Sequence, residues 1–141
     1  MNKIRCVFLS APLAAFVGEP NTEIRLFYKN LVHVCNEHGL EVYEPYIHTD
    51  PQDHDYLRAE KVYADNKSQL IACDLVIAYV GIVSAGVSME IEIANTFNIP
   101  AIVLHERNPP DVVSRMILGC PVVADVIVAA TYELIVEKLS E

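Results

Sequence analysis

The chain has 141 residues, 52% of them hydrophobic, and a formal net charge of −9 at pH 7. We expect a chain of this length to form one domain, residues 1–141, with a sizeable core. The acidic balance argues against nucleic acid and anionic membranes as partners, because both require clustered Lys and Arg, and no apolar run is long enough to cross a bilayer.

Short apolar runs alternate with amphipathic stretches along the whole chain. The predicted strands are Cys6–Leu9, Leu40–Tyr46, 75–80, Ala101–Leu104 and Val122–Val128. The predicted helices run from about Thr22 to Gly39, from about Leu57 to Ala72, from Ser88 to Asn98, from Pro109 and Pro110 through Leu118, and from Tyr132 to Leu139. This alternation predicts an α/β fold, a doubly wound five-stranded parallel sheet of the flavodoxin-like or Rossmann-like type with order 2-1-3-4-5.

The predicted strand order also indicates where a ligand binds. Strands 1 and 3 are neighbours, and such sheets bind ligands at the carboxyl ends of the strands, where the direction of winding reverses. The loops that converge there are Ser10–Asn21 and Gly81–Ser88. The sequence therefore predicts a site between these two loops.

The loop after the third predicted strand is built from small residues, among them Ser84, Gly86 and Ser88. A small-residue loop that leads into a helix is typical of sites for phosphorylated ligands. The sequence has no G-x-G-x-x-G and no P-loop motif, so the common nucleotide-binding loops are not predicted. Two simpler interpretations remain: Ser88 is the N-cap of the helix, and Ser84 is an ordinary loop serine.

The helix that follows the loop carries a carboxylate close to its start. Met89, Ile93 and Phe97 recur at helical spacing, and Glu90 lies on the adjoining stripe. A carboxylate next to an anion-binding loop is an unusual choice for binding alone, and it makes sense if the carboxylate reacts. The alternative is that Glu90 is a first-turn acid that complements the helix dipole.

The segment from Cys73 to Ala94 resembles the nucleoside 2-deoxyribosyltransferase family. The family core reads roughly a-Asp-hydrophobic-Val-Ala, followed by Gly-x-Gly-[Tyr/Met]-Glu-Leu-Gly-x-Ala; here it is Ala72-Cys-Asp74-Leu-Val-Ile-Ala78 and Gly86-Val-Ser88-Met89-Glu90-Ile-Glu92-Ile-Ala94. Other segments that look like the family are Phe8–Pro12, Val42–Pro45, Asn98–Val103 and Ser114–Gly119. Ser84-Ala-Gly86-Val with Ser114–Gly119 looks closest to the 2′-deoxynucleoside 5′-phosphate N-hydrolase branch.

The resemblance implies cleavage of an N-glycosidic bond by hydrolysis or transfer, in a (deoxy)nucleoside or its 5′-monophosphate. Glu90 matches the position of the family nucleophile, which stabilises or captures the oxocarbenium-like C1′. The implied contacts to the substrate come from the first turn, Ser10, Ala11 and Pro12, and from the loop residues Ser84, Gly86 and Ser88. Ser84 matches a serine that helps to hold the 5′-phosphate.

Three positions depart from the family pattern. The family has an Asp eight residues before Asp74, and this chain has Asn66 there with Asp65 one place away. We therefore expect Asp65, or Asn66 as a weaker stand-in, to be the polar partner that assists the leaving base. Glu92 replaces a usual Gly, and Ala11 replaces a Gly in the turn after the first strand.

The resemblance implies no cofactor and a homo-oligomer, a dimer or larger, in which a neighbouring subunit completes each site. No metal site is expected, since the polar loop around His48 and Asp55 has no standard ligand spacing. The four cysteines are far apart and in apolar contexts, which predicts buried free thiols, and the chain start lacks a signal-peptide pattern; we therefore expect a cytoplasmic protein. The alternative function is a non-catalytic nucleotide-binding or sensing module that uses the same pocket.

Overall fold

The computed structural model describes residues 3–12, 22–49, 56–105 and 113–128, and these residues form one five-stranded sheet with helices on its faces. All neighbouring strands are parallel, and their order is β2-β1-β3-β4-β5. The predicted fold class and strand order are confirmed. Strands β1 and β3 are adjacent, so the direction of winding reverses between them.

The secondary structure follows the predicted alternation, with shifted boundaries. The strands are β1 (Cys6–Ser10), β2 (Glu41–Tyr43), β3 (Leu75–Tyr79), β4 (Ala101–His105) and β5 (Val123–Val128). The helices are α1 (Thr22–Glu37), α2 (Pro45–Thr49), α3 (Ala59–Ala72), α4 (Ala85–Thr96) and α5 (Arg115–Leu118). The predicted helix 132–139, the residues 109–112 of another and most of the polar loop lie outside the described residues.

The second strand is shorter than the sequence predicts. It ends at Tyr43, and the short helix α2 begins at Pro45. Proline fits the first position of a helix, where its missing N–H is not needed, whereas in a strand it would remove a ladder hydrogen bond. The prediction that the strand continues to Tyr46 is therefore wrong.

The sheet separates two apolar clusters. Every residue of β3 and β4 is buried, as predicted for strands covered on both faces. Side chains of Leu31 and Cys35 from α1 pack on one face, and side chains of α3 and α4 pack on the other, with Leu70 and Ile91 fully or almost fully buried. The second face is the one that carries the candidate site.

Gly39 ends α1 with a φ of +76°, the left-handed conformation that favours glycine after a helix. This agrees with the predicted helix end.

All four cysteines are free thiols; Cys35 and Cys73 are buried, while Cys6 and Cys120 are partly exposed. Among the described residues, no helix is long and apolar enough to cross a membrane.

Candidate active site

Helix α4 begins earlier than predicted. Its N-cap is Ser84, whose Oγ accepts a hydrogen bond from the Val87 backbone N–H at 3.3 Å. Ser88, the predicted N-cap, lies inside the helix and donates its hydroxyl to the Ser84 carbonyl oxygen at 3.0 Å. Because Ser84 is extended and can cap, the helix forms one turn earlier. Glu90 is then not a first-turn acid, and the simple helix-dipole interpretation is wrong.

The inward face of α4 also differs from the predicted one. The buried residues are Val87, Ile91 and Ala94, whereas Met89 and Phe97 are 53% and 45% exposed. Apolar residues occupy more than one side of this helix, so spacing alone does not identify the buried side. Glu90 lies three residues after Val87 and four before Ala94, and it therefore extends the inward face toward the edge of the sheet.

Glu90 is held by Ser10, the last residue of β1. The Ser10 hydroxyl donates to Oε1 of Glu90 at 2.8 Å, and Ser10 is fully buried. Ser10 pairs in register with Ala78 of β3, so this contact lies where the winding reverses. Burial raises the pKa of Glu90 to about 7, although the bond from Ser10 acts in the opposite direction. The carboxyl group can thus gain or lose a proton near neutral pH.

Tyr28 supports this contact from the other side of Ser10. Its hydroxyl donates to the Ser10 carbonyl oxygen at 3.0 Å. Burial raises the pKa of Tyr28 well above its ordinary value, and the charges of Tyr79 and Glu90 raise it further. Sequence reasoning did not select Tyr28, although its spacing from the buried Leu31 on α1 indicates the same helix face.

Tyr43 ends β2, and its ring stacks on that of His48 with 4.9 Å between centroids. Burial raises the pKa of Tyr43, and the neighbouring carboxylates of Asp65 and Glu90 raise it further. Both carboxylates therefore act on the same phenol, a relation that no sequence pattern indicates.

The two candidates for the polar partner differ in environment. Asp65 is partly exposed and accepts a hydrogen bond from Lys61 Nζ at 2.9 Å. Asn66 lies four residues before the buried Leu70, and its buried Oδ1 has no hydrogen-bond partner among the described residues. Asp65 thus supplies a partly exposed charge, while Asn66 supplies a buried acceptor.

The remaining predicted residues lie on the loops and the first turn of α4. Ala11 and Pro12 are buried beside the end of β1, and Ala11 packs in the core on the α1 side. Gly86 is exposed, and a Cβ there would meet nothing closer than Ser84 Oγ at 3.9 Å. Its backbone is therefore open to a ligand. Glu92 is exposed on the side of α4 that lines a groove with residues of α3.

A small cavity of about 50 Å³ opens beside the N-terminus of α4. Its polar lining consists of three hydroxyl groups, from Ser84, Ser88 and Ser114, and the remaining lining residues are apolar. Ser114 was not among the predicted site residues, although its segment resembles the family. Hydroxyl groups without a neighbouring carboxylate suit an oxyanion such as a phosphate. Among the described residues, no group of three or more His, Cys, Asp or Glu could hold a metal ion.

The fold has clear relatives among solved structures. BlsM is 22% identical with a TM-score of 0.76, and the match covers 97% of this chain and 88% of BlsM. A CMP N-glycosidase from Clostridium botulinum, BcmB, is 22% identical over 96% of this chain and 98% of that protein, with a TM-score of 0.68. A 2-deoxyribosyltransferase from Bacillus psychrosaccharolyticus is 15% identical over 92% and 89%, with a TM-score of 0.69. At these identities the likeness concerns the fold.

The family is shown by the sequence itself. The family model for nucleoside 2-deoxyribosyltransferase matches residues 13–131. No curated protein is significantly similar in sequence. The predicted resemblance is confirmed: the chain belongs to the nucleoside 2-deoxyribosyltransferase family and is an enzyme that cleaves or transfers N-glycosidic bonds.

Proposed function

We propose that the chain hydrolyses the N-glycosidic bond of a (deoxy)nucleoside 5′-monophosphate, with Glu90 as the nucleophile. One observation carries the proposal: a half-buried carboxyl group with a pKa of about 7 is fixed by Ser10 at 2.8 Å, at the edge of the sheet where such folds bind ligands. A nucleophilic carboxylate must be able to ionise at working pH yet be poorly solvated, and Glu90 is poorly solvated and ionises near neutral pH.

The proposed reaction has two steps. In the first, a Glu90 oxygen bonds to C1′ as the C1′–N bond breaks, and the departing base takes a proton from the Asp65 carboxyl group; Asn66, as the weaker stand-in, would donate only a hydrogen bond to the base. In the second, the Asp65 carboxylate takes a proton from water as the water oxygen attacks C1′, the ester bond to Glu90 breaks, and the sugar phosphate leaves. A second base in place of water would give transfer instead.

The preference for a monophosphate rests on the cavity beside α4. Its Ser84, Ser88 and Ser114 hydroxyl groups and the N-terminus of a twelve-residue helix form a setting for a phosphate. The structurally similar protein from Clostridium botulinum is named as a glycosidase of CMP, a nucleoside monophosphate. Both points favour a 5′-monophosphate over a free nucleoside.

We also propose that the enzyme is a cytoplasmic homo-oligomer of single-domain chains in which a neighbouring subunit completes each site. The free cysteines support a reducing compartment. A groove of about 260 Å³ between α3 and α4 supports self-association, because it exposes Tyr63, Met89 and Phe97. Sedimentation velocity tests this part, and a strictly monomeric active enzyme would refute it.

The proposed function is tested by measuring, with chromatography, the release of free base from a panel of ribo- and deoxyribonucleosides and their 5′-monophosphates. We expect release from at least one monophosphate and its loss in Glu90→Ala. The alternative, a nucleotide-binding module without turnover, predicts that nucleotides raise the melting temperature while no base is released, with or without an added acceptor base.

A further inference from the structure

His105, the last residue of β4, is fully buried, and neither of its ring nitrogens has a hydrogen-bond partner in the part of the chain that the structure describes. An imidazole always carries at least one N–H, and a buried N–H without an acceptor is costly, so few native proteins keep one. An unpaired donor of this kind at the ligand-binding edge of a sheet is expected to acquire its acceptor from a ligand.

The alternation of β4 determines the face on which His105 lies. Ile102 and Leu104 pack in the cluster on the α1 side, whereas Ala101 and Val103 pack in the cluster on the α4 side. Since side chains alternate along a strand, His105 shares the face of Val103. This is also the face on which Ser10 contacts Glu90.

The neighbour of His105 across the sheet is Val80. Tyr79 pairs in register with Leu104, and the Val80 N–H donates to the Leu104 carbonyl oxygen at 2.9 Å, so the next pair along the two strands is Val80 and His105. Adjacent strands are about 5 Å apart. Val80 lines the cavity that contains Ser84 and Ser114, so His105, which is not itself a lining residue, lies directly behind the Val80 side of that cavity.

The groups around this cavity are donors. Ser84 Oγ accepts from the Val87 N–H and Ser114 Oγ accepts from the Met116 N–H, so each hydroxyl keeps its own O–H to donate. None of the described residues that line the cavity carries a carboxylate or a cationic group. An N–H from His105 would add a third donor from the Val80 side, which matches the three terminal oxygens of a phosphate monoester.

We propose that His105 donates a hydrogen bond to the 5′-phosphate of the bound nucleotide and thereby makes the enzyme prefer monophosphates over nucleosides. The inference rests on the proposed function and names a residue that selects the substrate. It explains why the end of β4 keeps a buried imidazole in an otherwise apolar strand.

The test compares kcat/KM for a nucleoside 5′-monophosphate with kcat/KM for the same nucleoside. We expect this ratio to fall about 10- to 100-fold in His105→Leu, because a hydrogen bond to a charged group is lost, and to recover in part in His105→Gln, which retains an N–H donor. His33→Leu, at an exposed position on α1, is the matched control and keeps the wild-type ratio. An unchanged ratio in His105→Leu overturns the proposal.

Two further readouts separate this role from a structural one and from the proposed function. Without ligand, His105→Leu should melt at the wild-type temperature or above, since an unpaired polar group is removed; a large drop with equal losses for both substrates indicates a structural role and overturns the proposal. If the wild type releases no base, inorganic phosphate replaces the substrate. Stabilisation of the wild type but not of His105→Leu then supports the inference while the proposed function fails, and equal responses of the two proteins overturn it.

Discussion

Glu90 and Glu92 lie two residues apart on α4 and point to different sides of the helix, because two positions correspond to about 200° of rotation. Glu90 faces the sheet edge and accepts a hydrogen bond from Ser10 at 2.8 Å. Glu92 is exposed, accepts from the Asn95 side chain at 3.3 Å, and lines the open groove toward α3 with Lys67. The two regions contain the same functional group in opposite surroundings.

The difference shows that the environment of a carboxylate, and not its residue type alone, sets its pKa. Burial raises the pKa of Glu90 to about 7, and a buried carboxylate loses the water that would otherwise stabilise its charge. Glu92 stands where the family usually has a glycine. Its side chain points away from the candidate site and therefore does not reduce the space for a ligand there. The departure at position 92 therefore leaves the proposed chemistry intact.

The largest expected effect comes from exchanging each carboxylate for an amide. Glu90→Gln should lower kcat by about 10³-fold or more, because the nucleophile is removed with its volume retained. Glu92→Gln, the matched control on the other side of the helix, should stay within about twofold, as most surface substitutions do. Steady-state base release measures both. Equal losses in the two variants would remove the distinction between the two sides of α4.

The second prediction concerns the partner carboxylate on α3. Asp65→Asn should lower kcat/KM by about 10²-fold or more, since the leaving base loses its proton donor. Asn66→Ala is the comparison, and its smaller loss would identify Asp65 as the partner. A greater loss in Asn66→Ala would transfer the role to Asn66. Substrates with a better leaving base should reduce the loss in whichever variant lacks the acid.

The third prediction is the pH dependence of the free enzyme. The pKa of Glu90 is raised to about 7, so the reactive anion is scarce below this pH and dominant above it. We expect kcat/KM to rise about tenfold per pH unit from pH 5 to pH 7 and then to level off. A free nucleoside is the suitable substrate, because the second ionisation of a phosphate, near pH 6, would overlap. A flat profile from pH 5 to pH 8 would contradict the assignment.

The fourth prediction tests how Ser10 tunes Glu90. The Ser10 hydroxyl favours the charged carboxylate, so its loss in Ser10→Ala should raise the pKa of Glu90 further. The midpoint of the acidic limb of the kcat/KM profile should move to a pH about 1 unit higher, since a hydrogen bond to a charged group contributes about 1.5 kcal/mol or more. Ser68→Ala, an exposed position on α3, should leave the limb in place. A limb that moves down, or does not move, refutes the role of Ser10.

The smallest expected effect is at Gly86. Alanine fits there, because its Cβ would lie 3.9 Å from the nearest atom, and it should stabilise α4 by about 0.5 kcal/mol. The added methyl group should raise KM for the nucleotide while urea unfolding shows the gain in stability. An unchanged KM would mean that no ligand approaches this turn.

Much of the fold is readable from the sequence because the strands are mostly apolar. In β3 and β4 every residue is buried, and strict alternation with helices leaves few topologies. The end of β2 was misjudged because the apolar run continues past Pro45, the residue that begins α2. Local chemistry at a proline outweighs hydrophobicity there.

The site is readable only in part. Ser10 begins one of the two loops that the topology brings together, and Glu90 follows the other on the helix, but their hydrogen bond depends on where α4 begins. Two serines could cap that helix. Because the N-cap is Ser84 and not Ser88, Glu90 lies beyond the first turn of the helix. The nearness of Tyr43 to Asp65 and the burial of His105 depend on packing between elements distant in sequence, which no local pattern contains.

The central claim is that Glu90 forms a covalent bond to the sugar. The most direct measurement is peptide mass mapping of acid-quenched enzyme after reaction with the active members of the nucleotide panel. We predict that the tryptic peptide 68–107 gains the mass of one sugar phosphate, that fragmentation locates it on Glu90, and that Glu90→Gln shows no adduct. Base release by the wild type together with undiminished release by Glu90→Gln, or an adduct on another residue, would contradict the account.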